Sequence, residues 1–384
     1  MTTRRATVDR ARVNTRRMER QGLTVPLDAA PAPVVELMPA AHAQVLSAAE
    51  LSVGLRSRDL TRADVRRALW SDRTLIKTFG PRGTVHLVSA AELPLWTGAL
   101  SSLPAGRNTQ PEGVRMTPEQ TAEVLAAIAD ALTGAELTVD ELTEAVIARA
   151  GAWAGEPVMP AFQTLWPRWR QVTHLASHRG LLCFGQDRGR KVTYTRPDVT
   201  PLDGPPALAA LIGRYLHAYG PATPQNFATW LAAPARWASE LFAGLAADGE
   251  IEEVAYGDGS PAWVVAGDTA FPSQPVRGVR LLPYFDAFVI ASQPREELFP
   301  GAARTRALAG GQAGNFPVLL VDGTVAGVWH QRRSGRRIAV TVEPLSPLTA
   351  GQLRELEQQV ARVGEVLEGK PELTVGKVTV GAHA

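Results

Sequence analysis

The chain has 384 residues, 45% of them hydrophobic and 20% charged, which excludes a disordered or low-complexity protein and allows several domain-sized cores. A single cysteine, Cys183, excludes an intrachain disulfide and a thiolate metal cage. No uncharged apolar run reaches membrane-spanning length and MTTRRATVDR has no apolar core behind its arginines, so the expected setting is cytoplasmic.

The formal net charge is only +2, but the cations are segregated. Residues 1–20 carry a net +5, residues 56–82 a net +5, residues 166–196 a net +6 and residues 329–337 a net +4, while Glu240 to Asp258 form an acidic run. Such segregation predicts a basic footprint for phosphates on an otherwise acidic body.

In chain order, a basic segment (1–35) precedes three copies of one pattern. Thr61, Thr138 and Thr223 are each followed by apolar residues at plus four, seven and eight. Each reads as an N-cap, with Asp64 or Glu141 closing a capping box and Pro224 at the first helical position of the third copy. A helical segment precedes each, at Gln44–Arg56, Pro118–Leu132 and Pro206–Ala218. Strand-like runs around glycine turns follow, at Thr74–Ser89, Leu181–Tyr194 and Glu250–Val265. A further helix is expected at Ala161–His178, with Phe162, Leu165, Trp166, Trp169, Val172 and Leu175 along a core stripe, and another at Pro234–Ala247. Helix, capped helix, helix and hairpin is the order of a winged helix-turn-helix. The predicted fold class is therefore α+β: winged helices at 36–115, 116–200 and 201–270, then a small β-rich domain at 271–384.

In that last domain, Val279–Ser292 and Phe316–Leu345 read as strands, Thr349–Leu367 as a helix, and Pro300–Asn315 as a mobile loop. The turns GPRG, with Lys77 and Arg82, and GQDRGRK, with Arg188, Arg190 and Lys191, are candidate phosphate contacts, whereas the acidic third turn reads as structural. A late hairpin at Trp329–Ile338 adds His330, Arg332, Arg333 and Arg336 as candidates for the minor groove. His174 and His178 are four residues apart, but HLASH lacks the glutamate of HExxH and no third ligand is evident, so no metal is expected. No other cofactor is expected.

RALWSDRTLIKTFGPRGTVHLV (67–88), RLLPYFDAFVIA (280–291) and VDGTVAGVWHQRRSG resemble signature segments of the bacterial winged-helix proteins that include the AlkZ-like DNA glycosylases. The resemblance extends over roughly residues 10 to 375. It implies a catalytic pair flanking one apolar residue just before the first helix of the first unit. Here that position reads His42-Ala43-Gln44, anchored by AAELSVGLRSR downstream, and matches a His-hydrophobic-Gln subgroup. His86, inside RGT-x-HL, reads as structural. The implied activity is monofunctional hydrolysis of alkylated purine nucleotides in duplex DNA, for base excision repair or self-protection against a DNA-alkylating natural product.

The residue types suit that chemistry. A purine alkylated at N7 or N3 is cationic and leaves without strong acid catalysis, so water placement and stabilisation of an oxocarbenium-like sugar remain. Side chains two apart in an extended segment share a face. An imidazole titrating near neutral pH can take the water's proton, and a carboxamide can hold the water but never act as a base. No lysine sits in the pair, so no Schiff-base lyase step is expected. The partner is damaged double-stranded DNA, bound by a monomer; the adduct, and whether its base is flipped, stay open. The alternative is a non-catalytic winged-helix regulator, which predicts sequence-specific binding and a symmetric dimer.

Overall fold

Thr61, Thr138 and Thr223 stand at the N-caps of the Arg62–Trp70, Val139–Ala150 and Pro224–Leu231 helices. The third helical residue closes a box each time: Asp64 accepts from the Thr61 N–H at 2.9 Å, Glu141 from that of Thr138 at 2.7 Å, and Asn226 from that of Thr223 at 3.0 Å. These boxes pair amides that a helix start otherwise leaves bare. The structure, a computed structural model, describes residues 7–106, 110–161, 164–308 and 310–382.

A helix precedes each capped one: Leu46–Gly54, Pro118–Ala131 and Gly204–Tyr219. A hairpin follows each: Leu75–Phe79 with Val85–Ser89, Cys183–Phe184 with Thr193–Thr195, and Ile251–Tyr256 with Ser260–Val265. Every hairpin gains a third strand, Ala41–His42 in the first, Glu136–Thr138 in the second, and Thr7–Val8, running parallel, in the third. The first two units share one core, in which Val65 and Leu69 join Leu142, Val146 and Trp169, all 0% exposed. Burial on this scale contributes about 1.5–3 kcal/mol for each large side chain and fixes the two units against each other.

The segment expected to be a helix over Ala161–His178 folds differently. Pro157–Pro160 and Leu165–Pro167 pair as a small antiparallel hairpin, Arg168–Val172 forms a 3-10 turn, and only Thr173–His178 is α-helical. Pro157, Pro160 and Pro167 remove amide donors and hold their predecessors extended, which defeats the helical apolar spacing. Trp169 and Val172 still reach the core, but Leu165 is 53% exposed; Phe162 lies outside the described residues.

In the C-terminal region, five strands lie in the order Val279–Leu282, Val318–Val321, Thr324–Ser334, Arg337–Pro344 and Lys370–Val375, with the Ala350–Val366 helix against them. The expected strand Val279–Ser292 stops at Leu282. Pro283 follows, and the Asp286 carboxylate accepts from the Phe288 N–H at 3.0 Å to cap an Ala287–Ala291 helix. Within Pro300–Asn315, expected as a mobile loop, Ala302–Ala307 is helical and Arg306 holds Glu343 at 2.9 Å.

Candidate active site and nucleic-acid interface

His42 is in the sheet because Ala41–His42 pairs with Val85–Ser89, which sets His42 opposite His86. The two rings meet edge-on with centroids 5.0 Å apart, and Phe285 stacks on His42 at 4.6 Å and 29°. His42 is 9% exposed, and its Nδ1 has no hydrogen-bond partner. Beside it is a gap of about 10 Å3, the scale of one water molecule, lined by Arg82, His86, Tyr219 and Trp230 among others.

Burial, then the nearby charge of Arg82, pushes His42 down to about 4. Burial and the neighbouring His42 push His86 well below the usual imidazole range. The expectation that His42 titrates near neutral pH is therefore corrected: its imidazole is uncharged at pH 7 and presents acceptor and donor nitrogens rather than a cation.

Gln44, two residues on, is exposed on the wall of a cleft of about 890 Å3 between the first two units. Phe79, Phe184, Tyr194, Trp166 and Arg170 also line it, and the Arg170 guanidinium sits 3.9 Å from the Trp166 ring centroid. His42 and Gln44 thus border different spaces, the narrow gap and the wide cleft. Arg170 is not among the cationic contacts expected from the sequence, and Trp166, expected in a core stripe, lies on the cleft wall instead; the prolines at 157, 160 and 167 are the local signal for that change.

Residues 35–366 match the family described as DNA glycosylase AlkZ-like. An interstrand DNA cross-link repair glycosylase from Streptomyces sahachiroi is 31% identical over 327 residues, 82% of this chain and 85% of that protein. The solved Streptomyces sahachiroi DNA glycosylase AlkZ superposes with a TM-score of 0.81 at 27% identity, covering 97% of this chain and 100% of that one. The chain belongs to the AlkZ-like DNA glycosylase family. It is accordingly a DNA glycosylase, which decides against the non-catalytic regulator.

An AlkZ-like glycosylase must grip a polyanion, and the predicted contacts divide into committed and uncommitted cations. Lys77 does not project from the GPRG turn: it lies in the Leu75–Phe79 strand with Nζ 4.6 Å from the Phe184 ring centroid, and burial lowers its pKa. Arg82 is half-buried and donates to the Trp230 carbonyl at 2.8 Å. Arg188 holds Glu141 at 2.6 Å and Lys191 holds Asp140 at 2.8 Å, so the second turn spends two cations on its own capped helix. Arg190 is exposed on the cleft wall.

On the late hairpin, Arg333 donates to the Leu367 carbonyl at 2.6 Å, and His330 is half-buried with its Nδ1 unpartnered. Arg332 and Arg336 are exposed and make no ion pair among the described residues. Among those residues, no helix is long and apolar enough to cross a membrane.

Proposed function

We propose that this protein hydrolyses the N-glycosidic bond of N7-alkylated purine nucleotides in duplex DNA, bulky natural-product adducts included, with His42 and Gln44 as its catalytic pair. The observation that carries this reading is the placement of a neutral, nearly buried His42 two residues from a Gln44 that opens onto a wide cleft. The Streptomyces sahachiroi relative, an interstrand DNA cross-link repair glycosylase, favours an enzyme that accepts large lesions.

Gln44 holds the attacking water at the cleft wall through its carboxamide oxygen; as C1′ gives up the purine and takes the water oxygen, the water's proton passes to the uncharged His42 imidazole, which requires the bound DNA to bring the narrow gap and the cleft together. The leaving purine carries its own positive charge, so neither residue must protonate it. With Lys77 held over Phe184 and no lysine in the pair, the reaction stops at the abasic site. The three capped units act as tandem winged helices, and the monomer holds DNA with the late hairpin in the minor groove, through Arg332 and Arg336 above all. Removal of such adducts serves base excision repair or self-protection against a DNA-alkylating natural product.

The test is incubation of the purified protein with duplexes carrying one 7-methylguanine or one bulky N7-guanine adduct, with and without subsequent alkali. Breaks at the lesion only after alkali are expected. Breaks without alkali would show a lyase, and intact strands on both duplexes after alkali would reject the substrate class.

A further inference from the structure

The Asp286 side chain is fully buried against a fully buried Arg56, which donates from Nη1 at 2.7 Å and from Nη2 at 2.8 Å. Ser52 Oγ also donates to this carboxylate. Ser52 belongs to the Leu46–Gly54 helix and Arg56 follows it, so the clamp ties the segment after the His42–Gln44 pair to the loop before Ala287–Ala291. A buried ion pair alone is weak evidence for stability, because desolvation offsets much of its attraction. This one fixes its neighbour in an unusual conformation.

Phe285 has φ of 54°, a left-handed backbone that a bulky residue keeps only when its surroundings over-determine it. Its N–H donates to the Gly314 carbonyl at 3.0 Å. Gly314 has φ of +92°, and a Cβ there would lie 3.2 Å from Phe285 Cα, so glycine is needed for this approach. The ring so held is the one stacked on His42. Arg82 from the GPRG turn, His86 from Val85–Ser89 and Tyr219 from the Gly204–Tyr219 helix border the same gap beside His42.

We propose that Phe285 is a positioning residue for the glycosylase reaction: the Arg56–Asp286 clamp sets its backbone, and its ring stacks on His42 and fixes the imidazole's orientation. The assignment rests on His42 being catalytic. Loss of the ring frees the imidazole to rotate and admits water to the face that Phe285 covers, so the reaction slows while DNA binding persists.

The experiment compares Phe285→Leu, Phe285→Tyr and His42→Ala with wild type. It reads single-turnover excision of 7-methylguanine, Kd for the duplex and the His42 titration midpoint by NMR. Phe285→Leu should lower the rate at least tenfold, leave Kd within twofold and raise the His42 midpoint, while Phe285→Tyr restores all three. A Phe285→Leu rate within twofold of wild type, or an unmoved His42 midpoint, overturns the proposal. So does equal impairment of the Leu and Tyr variants. If Phe285→Leu does not fold, Ser52→Ala, which loosens the clamp without stranding a charge, must slow excision at unchanged Kd; a wild-type rate there overturns it as well. A His42→Ala variant as fast as wild type would instead sink the catalytic pair itself, and an inactive one beside an active Phe285→Leu removes only Phe285.

Discussion

The Arg10–Arg20 helix and the hairpin formed by Thr324–Ser334 and Arg337–Pro344 carry similar arginine runs with opposite destinations. In the helix, Arg12 donates to the Pro272 carbonyl at 2.6 Å, Arg17 donates to those of Gln293 and Pro221, and Arg16 and Arg20 converge on Asp268. These cations are staples between the N-terminus, the third unit and the chain that leads into the C-terminal sheet. On the hairpin, Arg333 and Arg337 are held by the Leu367 carbonyl and by Glu372, while Arg332 and Arg336 face solvent with no ion pair among the described residues. A run of arginine therefore does not locate a phosphate site; what decides is whether carboxylates and carbonyls elsewhere in the fold reach it first. Among the described residues, Arg12, Arg16, Arg17 and Arg20 are thus drawn out of the expected basic footprint by contacts within the fold.

The comparison breaks most visibly at Asp268. Asp268→Ala leaves Arg16, 2% exposed, without its carboxylate, and should cost about 3 kcal/mol in a denaturant titration while leaving DNA affinity within twofold. A large loss of DNA affinity with unchanged stability would move the N-terminal arginines back into the interface. The hairpin should behave in the opposite way. Arg332→Ala with Arg336→Ala should leave stability within about 0.5 kcal/mol and reduce the salt slope of DNA binding by about 2, as expected for two lost phosphate contacts. An unchanged slope would remove the hairpin from the interface.

Much of the fold was legible because its signals are local. Capping threonines, the acidic partners Asp64 and Glu141, Pro224 and glycine turns each act within a few residues, and the three capped helices start where those signals put them. The segment around Trp166 departs from its helical apolar spacing because its prolines override that spacing, and Val279–Ser292 departs from a continuous strand because Pro283 and the cap at Asp286 end it early. At the candidate site, the pair was legible only through family resemblance. Its setting was not, because the rings that enclose His42 come from Phe285 and His86, and its lowered pKa follows from burial that no local pattern reveals.

Single-turnover excision of 7-methylguanine from duplex DNA, measured from pH 5 to 8 for wild type, His42→Ala and Gln44→Ala, tests the catalytic pair most directly. Each variant should be slower by on the order of 10²-fold. Because the neutral imidazole acts and His42 gains its proton only near 4, the wild-type rate should stay flat across this range and fall only in more acidic solution. Variants that match wild type, or a wild-type rate that collapses below about pH 6.5, the ordinary histidine midpoint, would contradict the account.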